Sequence, residues 1–256
     1  MAESVSAAEP LFRPAVLIPV YNHERAIGPI LESVLEQGCE VLLVDDGSDE
    51  TCAAELVRLR DRHAEKVSLL RLPRNGGKGA AVKAGLGTLR DAGYSHALQI
   101  DADGQHDLGD LQRMLATARA EPRSLVSGYP EFDADVPRLR YYGRYLTHVW
   151  IWINTLSFDI RDSMCGFRVY PLAPVVDLLE REPCGNRMDF DPEVLVRWHW
   201  RGGRVTGLPT RVHYPLDGVS HFKLLQDNLL ISAMHTRLFF GMLRRLPAIL
   251  GRRVRG

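Results

Sequence analysis

Leu98-Gln-Ile-Asp-Ala-Asp-Gly-Gln-His-Asp107 is the stretch whose reading decides the fold. A short apolar run (Ala97, Leu98, Ile100) leads into two carboxylates, Asp101 and Asp103, one residue apart. Gly104 turns the chain, and Gln105, His106 and Asp107 add three more polar groups. A buried strand ending in Asp-X-Asp places oxygen ligands at the carboxyl edge of a sheet, where open α/β proteins bind their ligands. Hard cations such as Mg²⁺ or Mn²⁺ take carboxylate, carbonyl and water oxygens and commonly share them with substrate phosphates. The stretch therefore predicts an α/β sheet protein with a metal-bridged phosphate site.

Working outward, the first half alternates strand and helix signals. Ala15 to Val20, Val41 to Val44, Val67 to Leu72, Ala97 to Ile100 and Ser124 to Ser127 read as strands. Between them, Glu24 to Gln37, a segment capped by Ser48 or Asp49 with Leu56, Val57 and Leu59 facing inward, Gly77 to Leu89, and Leu108 to Ala118 read as helices. Asp107 is the expected cap of the last of these. Repeated βα units imply a mostly parallel central sheet flanked by helices. The second half breaks this rhythm: a helix over Arg138 to Leu156, an irregular segment from Phe158 to Arg168, a helix over Asp189 to Trp200, a strand over Arg204 to Leu208 and a helix over Leu224 to Leu246. One domain spanning residues 1–256 is expected, with a nucleotide-type half at about 15–130, an acceptor-side half at about 131–222 and a basic amphipathic helix at about 223–256.

Composition sets bounds on the chemistry. Hydrophobic residues make up 45% of the chain and charged residues 25%, which suits a globular protein with a sizeable core. Lys plus Arg and Asp plus Glu are equal at 32 each, so overall charge gives no argument for nucleic acid as a partner. From Thr236 to Gly256 there are six arginines (Arg237, Arg244, Arg245, Arg252, Arg253 and Arg255) and no acid. Such a tail either lies on an anionic membrane surface or packs on the domain with its charges in water. Cys39, Cys52, Cys165 and Cys184 are widely spaced with no Cys-X-X-Cys pair, which argues for reduced thiols. The first ten residues lack the apolar run of a signal peptide, and no stretch reaches the roughly 20 apolar residues of a membrane span. A cytoplasmic protein is expected, soluble or peripheral on the inner face of the membrane.

Three segments in order, Ile18-Pro-Val-Tyr-Asn22, Val44-Asp-Asp-Gly-Ser-Asp49 and Asp101-Ala-Asp-Gly-Gln105, resemble the inverting family-2-type glycosyltransferases of GT-A fold. Asn75-Gly-Gly-Lys-Gly79 and Asp162-Ser-Met-Cys-Gly-Phe-Arg168 are similar to segments of dolichyl-phosphate mannose and glucose synthases. The resemblance implies a nucleoside diphosphate sugar donor and a divalent metal, Mg²⁺ or Mn²⁺, held by Asp101, Asp103 and Gln105. It implies an acceptor that is lipid-linked or a small hydroxyl or phosphate compound. It places Asp46 on the nucleotide, with Pro19 and Tyr21 shaping the base pocket. Asp45 either shares that contact or caps the turn. His23 stands where many lipid-phosphate mannose synthases carry Glu, so UDP- and GDP-sugars both remain open.

Lys78 lies in a glycine-rich loop opening a helix, a place suited to anions. It either faces the nucleotide or is a solvated lysine at a helix start, and the spacing is not that of a Walker A loop. Arg168 could pair with phosphate oxygens or form an ion pair with Asp162. Arg187-Met-Asp-Phe-Asp-Pro-Glu193 crowds three acids into a first helical turn, where the dipole favours them. Asp191 is the expected general base if the acceptor is an alcohol, whereas an anionic phosphate acceptor needs none. Asp217-Gly-Val-Ser-His-Phe-Lys223 sits where relatives carry a mobile loop, which would bring His221 or Lys223 to the diphosphate. Two rival classes are a sugar-nucleotide-forming nucleotidyltransferase and a non-catalytic sugar-nucleotide-binding module. The first lacks its expected glycine-rich, basic N-terminal loop here, and the second is disfavoured by the complete Asp101, Asp103 and Gln105 set.

Overall fold

The computed structural model describes residues 11–131, 138–212 and 224–253. In chain order the elements are β1 (Pro14–Val20), α1 (Glu24–Glu36), β2 (Val41–Asp45), α2 (Glu50–Arg62), β3 (Val67–Arg71), α3 (Lys78–Asp91) and β4 (His96–Gln99). A 3-10 turn (Leu108–Asp110) and α4 (Leu111–Ala120) follow, then β5 (Leu125–Glu131), α5 (Arg138–Thr155), β6 (Arg168–Pro171), α6 (Leu172–Arg181), α7 (Phe190–Trp200), β7 (Val205–Arg211) and α8 (Leu224–Arg253).

The strands form one seven-stranded sheet in the order β3-β2-β1-β4-β6-β5-β7. All neighbouring pairs are parallel except those of β6, which runs antiparallel to both β4 and β5. The strands therefore feed two cores, one on each face, by simple alternation. Val16, Ile18, Val20 and Leu43 pack under α1, α2 and α4, whereas Leu17, Leu42 and Val44 pack with α3, α6, α7 and α8. Each such side chain removed from water contributes roughly 1.5–3 kcal/mol.

The expected strands and helices of the first half are all present, with ends moved by a few residues. Three details differ. Val57 is 39% exposed rather than inward, because the buried stripe of α2 runs through Cys52, Ala53, Leu56 and Leu59 and Val57 falls beside it. The helix expected from Leu108 begins as a 3-10 turn, and Asp107 caps it by accepting from the Gly109 N–H at 2.9 Å. Phe158 to Phe167 is irregular as expected, but β6 and α6, which were not expected, follow it directly.

Order matters more than content for the site. The chain moves outward from β1 to β2 and β3, then returns to place β4 on the other side of β1. The carboxyl ends of β1 and β4 thus form the switch point where an α/β crevice opens. Pro19-Val-Tyr-Asn22, Asp45-Asp46 and Asp101-Ala-Asp103 all lie at this edge.

Candidate functional site

At the end of β1 the chain turns sharply, with Asn22 in the left-handed region at φ 52°. That turn is stapled to the one after β2: the Asn22 N–H donates to Ser48 Oγ (3.1 Å) and Asn22 Oδ1 accepts from the Asp49 N–H (2.9 Å). Pro19 is buried in β1 opposite Val44, and Tyr21 stands half-buried just beyond the strand. Asp45 is a turn cap. Its Oδ1 accepts from the Ser48 N–H (2.8 Å), and Arg71 Nε lies 3.3 Å from its Oδ2.

Asp46 holds the glycine-rich loop. The Gly76 and Gly77 N–H groups donate to Asp46 Oδ1 and Oδ2, each at 2.8 Å. Burial raises the Asp46 pKa, against the lowering effect of these two donors and of Arg187. With both oxygens engaged and the residue 2% exposed, Asp46 first fixes a loop, and only its remaining lone pairs are left for another donor.

That loop carries Lys78 to a place neither sequence expectation foresaw. Its ammonium is buried between two carboxylates, 2.8 Å from Asp101 Oδ2 and 2.8 Å from Asp191 Oδ2. Burial pulls the Lys78 pKa down, but the charges of Asp101 and Asp191 outweigh it and hold the pKa above the usual lysine value. Two of the three ammonium donors of Lys78 are thus taken by carboxylates, and its side chain remains 16% exposed. Asp101 also accepts from Gln99 Nε2 (3.3 Å), and Gln99 Oε1 accepts from the buried Tyr170 hydroxyl (3.1 Å). His106 Nε2 lies 3.7 Å from Asp101 Oδ2, and its ring stacks on Phe167 at 5.3 Å. Burial acts to raise the Asp101 pKa, yet Lys78 and His106 hold it well below the usual carboxylate range.

Asp103 differs from its neighbour. Its Oδ1 accepts only from the Gln105 N–H (3.1 Å), and among the described residues no cation lies within ion-pair distance. Its pKa is raised, first by burial and then by the charge of Asp101. Gln105 is half-buried beside it. No group of three or more His, Cys, Asp or Glu is gathered for a metal among the described residues.

Arg168 departs from both expectations. It is fully buried, and it donates through one terminal nitrogen to the Asp191 carbonyl (2.7 Å) and through the other to the Ser163 carbonyl (2.6 Å). It cannot reach a phosphate without abandoning those carbonyls, so it supports the site from behind. Its nearest carboxylate is Asp191, at 3.6 Å, not Asp162. Asp162 instead shapes the turn, accepting from the Met164 and Cys165 N–H groups at 2.9 and 2.7 Å, with His148 Nε2 at 3.3 Å. This turn presents Gly166 directly to Asp101: a Cβ there would stand 2.2 Å from Asp101 Oδ2. Cys165 is buried, in keeping with a small filler rather than a nucleophile.

The three acids at the start of α7, with Asp189 just before its first residue, separate into distinct tasks. Asp189 Oδ1 accepts from the Arg187 N–H (3.1 Å). Glu193, fully buried, binds Arg197 (2.7 Å), Arg237 of α8 (2.7 Å) and the Gly185 N–H (2.9 Å). Only Asp191 faces the Asp101 side of the crevice, through Lys78, and its Oδ1 is buried with no hydrogen-bond partner. His106, Gln99 and Tyr170 were not singled out from the sequence. For His106 the signal was its place two residues after Gly104 in the acidic loop. His221 and Lys223 lie outside the described residues.

Fold and loops together define an α/β protein with an acid-lined crevice at the switch point of its sheet. The chain belongs to glycosyl transferase family 2, which it matches over residues 15–184. It is similar to the polyprenol monophosphomannose synthase of Mycolicibacterium smegmatis, 33% identical over 182 residues covering 66% of this chain and 65% of that one. A dolichyl-phosphate beta-glucosyltransferase of Drosophila melanogaster is 28% identical over 178 residues, 61% of this chain and 53% of that one. The chain spans less than two-thirds of the length of these relatives. Among solved structures, glucosyl-3-phosphoglycerate synthase of Mycobacterium tuberculosis aligns with TM-score 0.60 and 18% identity, covering 91% of this chain and 79% of that one. The mannosyltransferase PcManGT of Pyrobaculum calidifontis, solved with GDP-Man and Mn²⁺, aligns with TM-score 0.54 and 18% identity, covering 95% of this chain and 75% of that one. Both likenesses place the chain in the GT-A fold.

Proposed function

We propose that the protein is a metal-dependent inverting glycosyltransferase that moves a sugar from a UDP- or GDP-sugar to a polyprenyl-phosphate-type acceptor. The observation that carries this reading is the unequal pair at the end of β4, where Asp101 is bridged by Lys78 and Asp103 stands without a cation. One free carboxylate with the neighbouring Gln105 fits a hard divalent cation that completes its shell with diphosphate oxygens and water rather than an all-protein cage. Such an ion, when bound, supplies Lewis-acid neutralisation of the charge that develops on the leaving diphosphate. Asp103 and Gln105 would hold it, with Asp101 contributing through whatever capacity Lys78 leaves. Asp46 would keep the glycine-rich loop closed beneath the nucleotide, with Pro19 and Tyr21 beside the base.

The activities of the relatives point to lipid phosphates as acceptors. The geometry is compatible with that class: Asp191 Oδ2 is engaged by Lys78, and an anionic phosphate needs no base to attack. Asp191 Oδ1, which accepts no hydrogen bond although Arg168 lies 3.6 Å away, is the one feature that favours an alcohol acceptor with Asp191 as base. Asp191→Asn separates the two: a loss of transfer far larger than the loss of donor binding supports the base.

A membrane surface is the proposed setting, at the inner face of the cytoplasmic membrane. No helix among the described residues is long and apolar enough to cross a bilayer. Yet among the described residues nine of the eleven exposed large apolar side chains belong to α5, α8 or Phe158 just after α5. On α8 these are Leu225, Leu229, Phe240, Leu243 and Leu250, accompanied by Arg244 and Arg252. Apolar and basic groups on one exposed helix suit an anionic leaflet.

Two measurements test the reading. A thermal-shift screen of UDP, GDP and their sugars with Mn²⁺ names the base. Asp103→Asn should then abolish metal-dependent transfer while the protein stays folded, and full activity in that variant sinks the assignment.

A further inference from the structure

We propose that Lys78 is a built-in counter-ion that makes divalent-cation binding at Asp103 depend on the diphosphate of the donor. The inference rests on the functional reading above and goes beyond it by assigning a positioning role to a residue the chemistry itself does not use.

Lys78 is held in place from both sides. Asp46 grips the two preceding N–H groups, and the Ala80 N–H donates to the Asn186 carbonyl (3.0 Å). Gly77 adopts φ 97°, and a Cβ on Gly79 would stand 2.5 Å from Phe190 Cβ. The backbone therefore has little room to withdraw the ammonium. Its two carboxylate partners come from β4's loop and from α7, so one side chain ties the donor-side loop to the acceptor-side helix.

The consequence is a charge balance at the crevice. Asp101 and Asp191 are matched by Lys78 and by Arg168 behind Asp191. Among the described residues Asp103 has no cation within ion-pair distance and feels Lys78 and His106 only at longer range. Asp101 and Asp103, one residue apart, would together make a dicarboxylate site able to take a hard cation unaided. With Lys78 on Asp101, only one carboxylate is left to attract the ion, and a second source of negative oxygen must come from the donor. Metal and nucleotide would then bind together, and the apoprotein would not accumulate metal.

Manganese binding to purified protein, read from the EPR signal of free Mn²⁺, tests this without turnover. Wild type should bind Mn²⁺ at least tenfold more tightly with saturating UDP or GDP than alone. Lys78→Met should bind Mn²⁺ alone at least tenfold more tightly than wild type does, and Lys78→Met/Asp101→Asn should lose that gain. Should Lys78→Met fail to fold, Lys78→Met/Asp191→Asn removes the facing buried acid and carries the same expectation. A Lys78→Met protein with no gain, or a wild type that binds Mn²⁺ equally well without nucleotide, overturns the inference alone. A wild type that binds no Mn²⁺ with either diphosphate overturns the metal-dependent reading and the inference with it.

Discussion

Gly166→Ala is the substitution that most directly probes how the acidic loop is held. A methyl group at Gly166 would stand 2.2 Å from Asp101 Oδ2 and 2.6 Å from Asp101 Cγ, whereas ordinary contact begins near 3.4 Å. The carboxylate has to retreat by more than an ångström, and Lys78, 2.8 Å from the same oxygen, has to follow or let go. Overpacking of this kind costs about 1–3 kcal/mol. In a chain of this size that is a loss of about 2–12 °C in Tm. Misplacing a catalytic constellation by ~1 Å costs about 100-fold in rate. The assay is paired: a thermal melt, and transfer from the donor identified by the nucleotide screen, both against Gly87→Ala. Gly87 lies in α3 with nothing within 4 Å of an added Cβ, so that control should be unchanged or slightly more stable. A Gly166→Ala protein with wild-type Tm and transfer within twofold of wild type would show that Asp101 does not need to sit where it does.

The remaining predictions follow from the burial of charge. Glu193→Ala leaves Arg197, 7% exposed, without its closest carboxylate and cuts the link to Arg237, so a loss of about 3–5 kcal/mol is expected in chemical denaturation. Glu193→Ala as stable as wild type would refute the hub. His235, packed on Trp150, has its pKa pushed down to about 4 by burial. Its stabilising contribution is therefore full above the unfolded value near 6.5 and falls away as pH drops toward about 4, a change on the order of 3 kcal/mol. His235→Gln should flatten the Tm-against-pH curve across that window, and an unaltered slope would exclude His235 as the cause. Leu225→Ser/Leu229→Ser/Phe240→Ser should weaken co-sedimentation with phosphatidylglycerol vesicles while leaving the melt unchanged, and unaltered sedimentation removes α8 as the contact. Deleting the tail from Thr236 is the poorer test, because Leu238, Met242 and Ile249 are buried in the core.

The first half was legible because its strands are short apolar runs closed by turn residues, and its helices carry apolar stripes. β6 was not, because Arg168-Val-Tyr-Pro171 is four residues long and begins with a fully buried arginine. α6 follows with no linker, and Pro171 and Pro174 read as breakers although one caps the helix and the other lies in its first turn. In the site, Asp101, Asp103 and Asp107 were legible from local spacing. The partners of Lys78 and Arg168 were not: Lys78 meets Asp191 from the far side of the sequence, and spacing carries no record of such an encounter. For Arg168 the choice between a phosphate and an ion pair with Asp162 stayed open, because its burial depends on Asp191, which the motif does not contain.

The insertion of β6 between β4 and β5 also dictates when the molecule can be finished during its own synthesis. A nascent chain ending after β5 can assemble β3, β2, β1 and β4, but β5 has no neighbour to join, since it pairs only with β6 and β7. Until Arg168–Pro171 leaves the ribosome, β4 keeps an open edge of the kind that recruits stray strands. The same short piece of chain brings Gly166 against Asp101. Joining β5 to the rest of the sheet and backing the acidic loop thus wait for the same piece of chain to emerge.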